Sequence, residues 1–177
     1  MKKVRVLLAL CFGMAVLFGC ESNSDPDLSP EERTAISYLK KQKYKIVERL
    51  GEGSRYVLER EMLSREPYSS IWAVQRTSPE PYFGKTIVSY GFIVTNHPLE
   101  KLYSNIRDKD DFDVEVTVML SEGHVIGGTS FPVLKSGDLL AGVPYSLDGE
   151  DLEEITGMNY DEWLEVWKAR YGDAGEQ

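Results

Sequence analysis

Few side chains in this 177-residue chain can do chemistry near neutral pH: two histidines, two cysteines and several groups of carboxylates. Imidazole is the side chain whose charge changes closest to neutrality. His97 stands in Asn96-His97-Pro98 and His124 follows Ser121-Glu122-Gly123. Both read as exposed loop or turn positions, and the sequence groups no further ligands with them to complete a metal site. Asp108, Asp110, Asp111 and Asp113 form the densest acidic run, and calcium wants several carboxylate oxygens from one loop. The EF-hand spacing fails, because Phe112 stands at the fifth position, Asp113 replaces the required glycine and no glutamate closes the loop at the twelfth. These four aspartates are weak candidate calcium ligands, weighed against a solvated loop ahead of a strand. A second acidic group, Asp148, Glu150, Asp151, Glu153 and Glu154, could supply the paired carboxylates of a hydrolase or the acid-rich start of a capped helix.

Other matches weaken in context. Ser37-Tyr38-Leu39-Lys40 has the spacing by which a lysine sits one helical turn from a serine nucleophile, and Lys135-Ser136-Gly137 has part of the element that accompanies it. Ser37 falls mid-way along an amphipathic helix, however, and no S-x-N element lies between the two. Gly84-Lys85-Thr86 ends like a phosphate loop, but Pro79 occupies the place of its first glycine. Trp163 and Trp167 fall on one helix face with Tyr160, Leu164 and Tyr171; such a face could stack on sugar rings, although core packing explains the same spacing and is preferred. Tyr56, Tyr68, Tyr82, Tyr103 and Tyr145 suit an exposed amphipathic surface of the kind partners use. These patterns assign no catalytic residue, no metal and no cofactor.

The first twenty residues carry the most specific signal. Lys2, Lys3 and Arg5 are followed by an apolar run from Val6 to Phe18, too short to cross a bilayer, which takes about 20 residues. The run ends in Leu17-Phe18-Gly19-Cys20. This resembles the lipobox of bacterial lipoproteins, in which a small residue precedes a cysteine that is acylated and becomes the first residue of the mature chain. The alternative is an ordinary free cysteine and cleavage at another small-residue site. In overall plan the chain resembles small uncharacterised lipoproteins of Gram-positive bacteria, a likeness that rests on the lipobox alone and brings no catalytic residue with it. The resemblance implies lipidation at Cys20 and a place on the outer side of the cell membrane. Two or three acyl chains anchor stably where one is marginal.

Cleavage before Cys20 removes Cys11 and three basic residues, leaving 17 basic against 29 acidic side chains, a net charge of −12. With Cys20 acylated the mature chain has no free thiol, which excludes a disulfide, a cysteine nucleophile and a thiolate metal site. The acidic balance also argues against nucleic acid, which needs clustered Lys and Arg.

The elements that must position these residues follow from local pattern. Residues 1–19 read as the signal segment, 20–29 as the lipidated cysteine and a polar tether, 30–172 as one domain and 173–177 as a polar tail. Ser29 with Pro30, Glu31 and Glu32 predicts a helix start, running to about Gln42 with Ile36, Leu39 and Tyr44 inward. Lys45–Leu50 and Arg55–Glu59, separated by Gly51-Glu52-Gly53-Ser54, predict a hairpin. Ile71–Val74 suggests a strand. Thr86–Thr95 and Asp113–Leu120 alternate strongly, each with one wet face, and Val125–Phe131 completes a hairpin with the latter. Asp148 is expected to cap a short helix ending at Gly157, and Asn159 a last one ending near Tyr171. The predicted fold is α+β: an antiparallel sheet of about five strands with N-terminal and C-terminal helices on one face. The expected role is non-catalytic binding of a protein, peptide or wall component. The alternatives are a cell-envelope hydrolase and an accessory subunit of a membrane complex.

Overall fold

The computed structural model describes residues 27–172 apart from 106, 107, 109, 138, 139 and 141. Helix α1, Pro30–Lys41, begins where Ser29 Oγ accepts a hydrogen bond from Glu32 N at 3.0 Å and proline takes the first turn. Ala35 and Leu39 are its fully buried residues. Lys43 then turns the chain with φ 68° into strand β1, Lys45–Val57.

Four more strands follow: β2 Thr86–Thr95, β3 Phe112–Ser121, β4 His124–Leu134 and β5 Tyr145–Ser146. They form one antiparallel sheet in the order β1-β2-β3-β4-β5, so each strand lies beside its sequence neighbour. The α+β architecture and the five-stranded antiparallel sheet agree with the sequence pattern. Glu122 (φ 51°) and Gly123 (φ 77°) make the tight β3–β4 turn in the left-handed conformation such hairpins favour.

The strand membership differs from expectation in three places. Lys45–Leu50 and Arg55–Glu59 do not form a hairpin. Lys45–Leu50 and Arg55–Val57 belong to the single strand β1, with Leu58 and Glu59 just beyond its end, and its register against β2 shifts at Ile46/Glu48, Arg49/Gly51 and Glu52/Ser54. The Gly-Glu-Gly-Ser stretch is a run of bulges rather than a turn, and Gly51 (φ 81°) supplies the positive φ one of them needs. Ile71–Val74 is not a strand: helix α2 covers Tyr68–Ala73, Val74 is its C-cap and Trp72 is buried. Strand β5 had no separate sequence signal.

Both sheet faces are covered, in different places. Val88, Tyr90, Phe92 and Val94 of β2, with Val114, Val116, Val118 and Leu120 of β3, pack with Ala35 and Leu39 of α1 and with Leu99. Each fully buried Leu, Val or Phe of this cluster contributes about 1.5–3 kcal/mol. Ile87 and Met119 alternate with those residues and so face the other way. There they meet Leu58, Leu63, Trp72 and Tyr171. The C-terminal helix α5, Tyr160–Tyr171, therefore packs on the face opposite α1, not beside it. The face expected to be wet is dry at that end because Ile87 and Met119 give α5 an apolar place to land. Helix α3, Pro98–Tyr103, and helix α4, Leu152–Thr156, complete the fold. The cap of α4 is Asp151, which shares a capping box with Glu154, rather than Asp148.

Candidate functional site

The outer side of β4 is finished by two devices in succession, followed by a gap. Strand β5 pairs with Thr129 and Ser130 only. At Gly128 a side chain takes over: Gln75 Oε1 accepts from Gly128 N at 2.8 Å, and Gln75 Nε2 donates to Gly128 O at 3.0 Å, so one amide does the work of a strand residue. This close approach needs glycine. A Cβ on Gly127 would lie 2.1 Å from Gln75 Oε1, one on Gly128 2.1 Å from the Thr117 carbonyl, and both residues have positive φ. At Val125–Gly127 no strand among the described residues pairs with β4 on its outer side. A cavity of about 190 Å³ opens there, between Tyr38 of α1, the segment after α2, and the turn at Ser146–Asp148.

That turn is held from within. Ser146 Oγ accepts from Asp148 N (3.3 Å) and Glu150 N (3.0 Å), and the Ser146 carbonyl accepts from Ser130 Oγ at 2.7 Å and from Gly149 N at 3.0 Å. Gly149 (φ 84°) completes it, with the imidazole of His97 3.1 Å from where a Cβ would stand. His97 is 3% exposed, not a loop-surface residue. Its Nδ1 accepts from Leu99 N at 3.2 Å, capping α3, and its Nε2 lies 3.2 Å from the Leu147 carbonyl. An Nδ1 that accepts leaves the proton on Nε2, which donates to Leu147 O. Both ring nitrogens are thereby committed to the fold, and burial lowers the pKa of His97, against smaller raising effects of Leu147 O, Asp148 and Glu100.

The charged groups around the cavity are unequally compensated. Arg76 Nε donates to Glu150 Oε2 at 3.1 Å and Arg76 Nη2 donates to Glu150 Oε1, closing a two-pronged pair. Among the described residues Asp148 meets a hydroxyl instead of a cation: Tyr44 Oη donates to its Oδ1 at 3.3 Å. Burial, then the charge of Asp148, push the hydroxyls of both Tyr38 and Tyr44 above the usual phenol range. The Tyr44 ring also lies 4.7 Å from that of His97, centroid to centroid. Chemically, the cavity offers a carboxylate that has no cationic partner among the described residues, a phenol and an apolar wall.

The other candidate residues are distributed elsewhere. Cys20 and the whole Leu17-Phe18-Gly19-Cys20 motif lie outside the described residues, as does the polar tail. Asp108, Asp110 and Asp111 are exposed, while Asp113 pairs with Lys135 Nζ at 3.5 Å. Among the described residues no three His, Cys, Asp or Glu side chains gather as a metal would require. His124 is exposed, its Nδ1 2.9 Å from the Glu122 carbonyl. Of the acidic group proposed for a hydrolase, Glu150 is held by Arg76, Asp151 and Glu154 by each other's backbone, and Asp148 by Tyr44. Ser37 is exposed on α1, and Lys85 pairs with Glu122 at 2.9 Å.

Trp163 and Trp167 serve packing. Trp163 is buried, Trp167 Nε1 donates to Leu63 O at 2.7 Å, and the rings from Tyr160 through Trp163 and Trp167 to Tyr171 run 4.5–5.8 Å apart. Only Tyr160 of that series is exposed. Tyr56, Tyr68, Tyr82, Tyr103 and Tyr145 are half-buried rather than an open surface. Tyr56 meets Tyr68 edge-on at 5.0 Å, and the hydroxyls of Tyr103 and Tyr145 lie 3.2 Å apart. Gln75 and Arg76 had no sequence signal, and Tyr38 stood out only as part of the S-x-x-K match. No protein-family model, curated protein or solved structure matches the chain.

Proposed function

We propose that this chain is a bacterial lipoprotein, anchored through acyl chains on Cys20, that displays an acidic binding domain on the outer side of the cell membrane. The observation that carries the reading is the motif Leu17-Phe18-Gly19-Cys20 closing a short apolar run, with the first helix cap, Ser29, nine positions further on. Ser29 Oγ also lies 2.9 Å from Tyr90 Oη, so the chain is fastened to the sheet at that residue. Glu21 to Leu28 lie between the lipidated cysteine and that cap and are largely polar in sequence. A binding role is favoured over catalysis because both ring nitrogens of His97 are occupied and Glu150, Asp151 and Glu154 are engaged in structural contacts. A second role, as accessory subunit of a membrane complex, is favoured by Val143 and Tyr160, each about half exposed and lining one apolar crease beside Trp163. The test is membrane fractionation of the native protein beside Cys20→Ser. The native protein is expected in the detergent phase, and the variant as an unprocessed precursor. A native chain wholly in the aqueous phase overturns the anchor.

A further inference from the structure

We propose that the cavity beside Asp148 is a binding site for a primary ammonium group on a small aliphatic carrier, such as a free amine of amino-acid size or the amino end of a peptide. This deepens the binding role above but does not depend on the lipid anchor.

Four observations lead to that class of ligand. First, the cavity lies where no strand among the described residues covers the β4 edge, at Val125–Gly127, and its volume of about 190 Å³ admits a group the size of one amino acid. Second, its charge is lopsided. Arg76 is paired with Glu150, whereas among the described residues Asp148 has only the neutral hydroxyl of Tyr44, so an entering cation finds an anion already in place and partly shielded from water. Third, the free valence of that anion has a particular form. Tyr44 donates to Oδ1, and among the described residues Oδ2 has no hydrogen-bond donor. A guanidinium binds best to two free coplanar oxygens, whereas an ammonium is a compact point charge that one oxygen satisfies. Fourth, Val74, Val125, Ile126 and Leu147 line the cavity together with the Tyr38 ring, which suits a short aliphatic carrier rather than a bare inorganic cation. The turn that presents Asp148 is pinned by Ser146 Oγ and by the His97 contact to Leu147. The carboxylate is therefore preorganised, and binding need not order it.

The test uses the full chain solubilised in dodecyl maltoside and follows backbone amide resonances at Gly127 and at Leu147 to Glu150. L-alaninamide is the probe, with N-acetyl-L-alaninamide as its uncharged counterpart and methylguanidinium as the planar cation. Alaninamide is expected to give saturable shifts at those amides, the acetylated compound none, and methylguanidinium weaker binding than alaninamide. Tri-alanine amide distinguishes the sources: tighter binding than alaninamide assigns the site to a peptide end, equal or weaker binding to a free amine. Asp148→Asn keeps the acceptor for Tyr44 and the side-chain shape, and should weaken alaninamide at least about tenfold, as loss of a charge-assisted hydrogen bond does. The proposal is overturned if alaninamide up to about 50 mM gives no saturable shift, a range that covers millimolar dissociation constants. It is equally overturned if the acetylated compound binds as well in the native chain, a comparison that needs no variant to fold. Detergent-phase partition of the same preparation reports on the anchor separately, so either reading can fail alone.

Discussion

His97 shows at residue scale how a side chain able to titrate can be spent on structure. The fold holds it neutral, as cap of α3 and as donor to Leu147 O, and burial sets its pKa below that of the unfolded chain. The unfolded state therefore takes up a proton first as pH falls, so stability is expected to decline on going down through about 6.5, the ordinary histidine value. Chemical denaturation at a series of pH values should show that decline in the native chain and a flatter profile in His97→Gln. Glu115 acts with the opposite sign. Burial raises its carboxyl pKa, so it contributes stability at low pH that is lost as pH rises above its ordinary range, and Glu115→Gln should gain stability at neutral pH relative to the native chain. Gly128 is constrained on two counts, a φ of 154° and a Cβ that would strike the Thr117 carbonyl. Gly128→Ala is expected to cost about 2–4 kcal/mol in urea denaturation, from backbone strain together with overpacking.

At the scale of elements, the edges of the sheet decide what is built around them. Strand β1 is a long outer strand, which in general invites pairing with other chains. Here it carries three register shifts and the charges of Lys45, Glu48, Arg49, Glu52 and Arg55 along its length. The other edge, β4, is closed by β5 and by the amide of Gln75, and the gap beyond them is the cavity. Gln75→Ala would leave Gly128 N and O without those partners, so the Gly128 amide should exchange with deuterium at least about tenfold faster, in keeping with about 1–3 kcal/mol for an unsatisfied buried group. Much of this scale was legible beforehand. Alternation marked β2 and β3 to within a residue or two, and Ser29 and Asn159 marked the starts of α1 and α5. The misreadings have physical reasons. Glycines at 51 and 53 look the same in a bulge as in a turn, and a four-residue apolar run such as Ile71–Val74 has no period long enough to separate helix from strand. The placement of α5 depended on Ile87 and Met119, single apolar residues on faces otherwise read as wet. The site was the least legible part. Tyr38, the adjacent pair Gln75-Arg76, and Asp148 come from three segments far apart in sequence, and only the tertiary fold brings them to one cavity.

Taken whole, the molecule joins an acidic domain to a segment with the features of a lipid anchor. Cleaved before Cys20, as proposed, the chain has a net charge of −12 and gains nothing from an anionic membrane surface. No helix among the described residues is long and apolar enough to cross a bilayer. On the proposed reading, attachment is supplied by acyl chains alone, which salt does not screen. Washing membranes with about 1 M salt, where the Debye length falls to about 3 Å, should leave the protein in the pellet, whereas an electrostatically held protein would be released. The most direct measurement is mass spectrometry of the amino-terminal peptide of the protein isolated from its native membrane. The account predicts a peptide beginning at Cys20, heavier than its sequence by a diacylglyceryl thioether and continuing into Glu21. A peptide that retains Met1, or one that begins elsewhere with an unmodified Cys20, would contradict it.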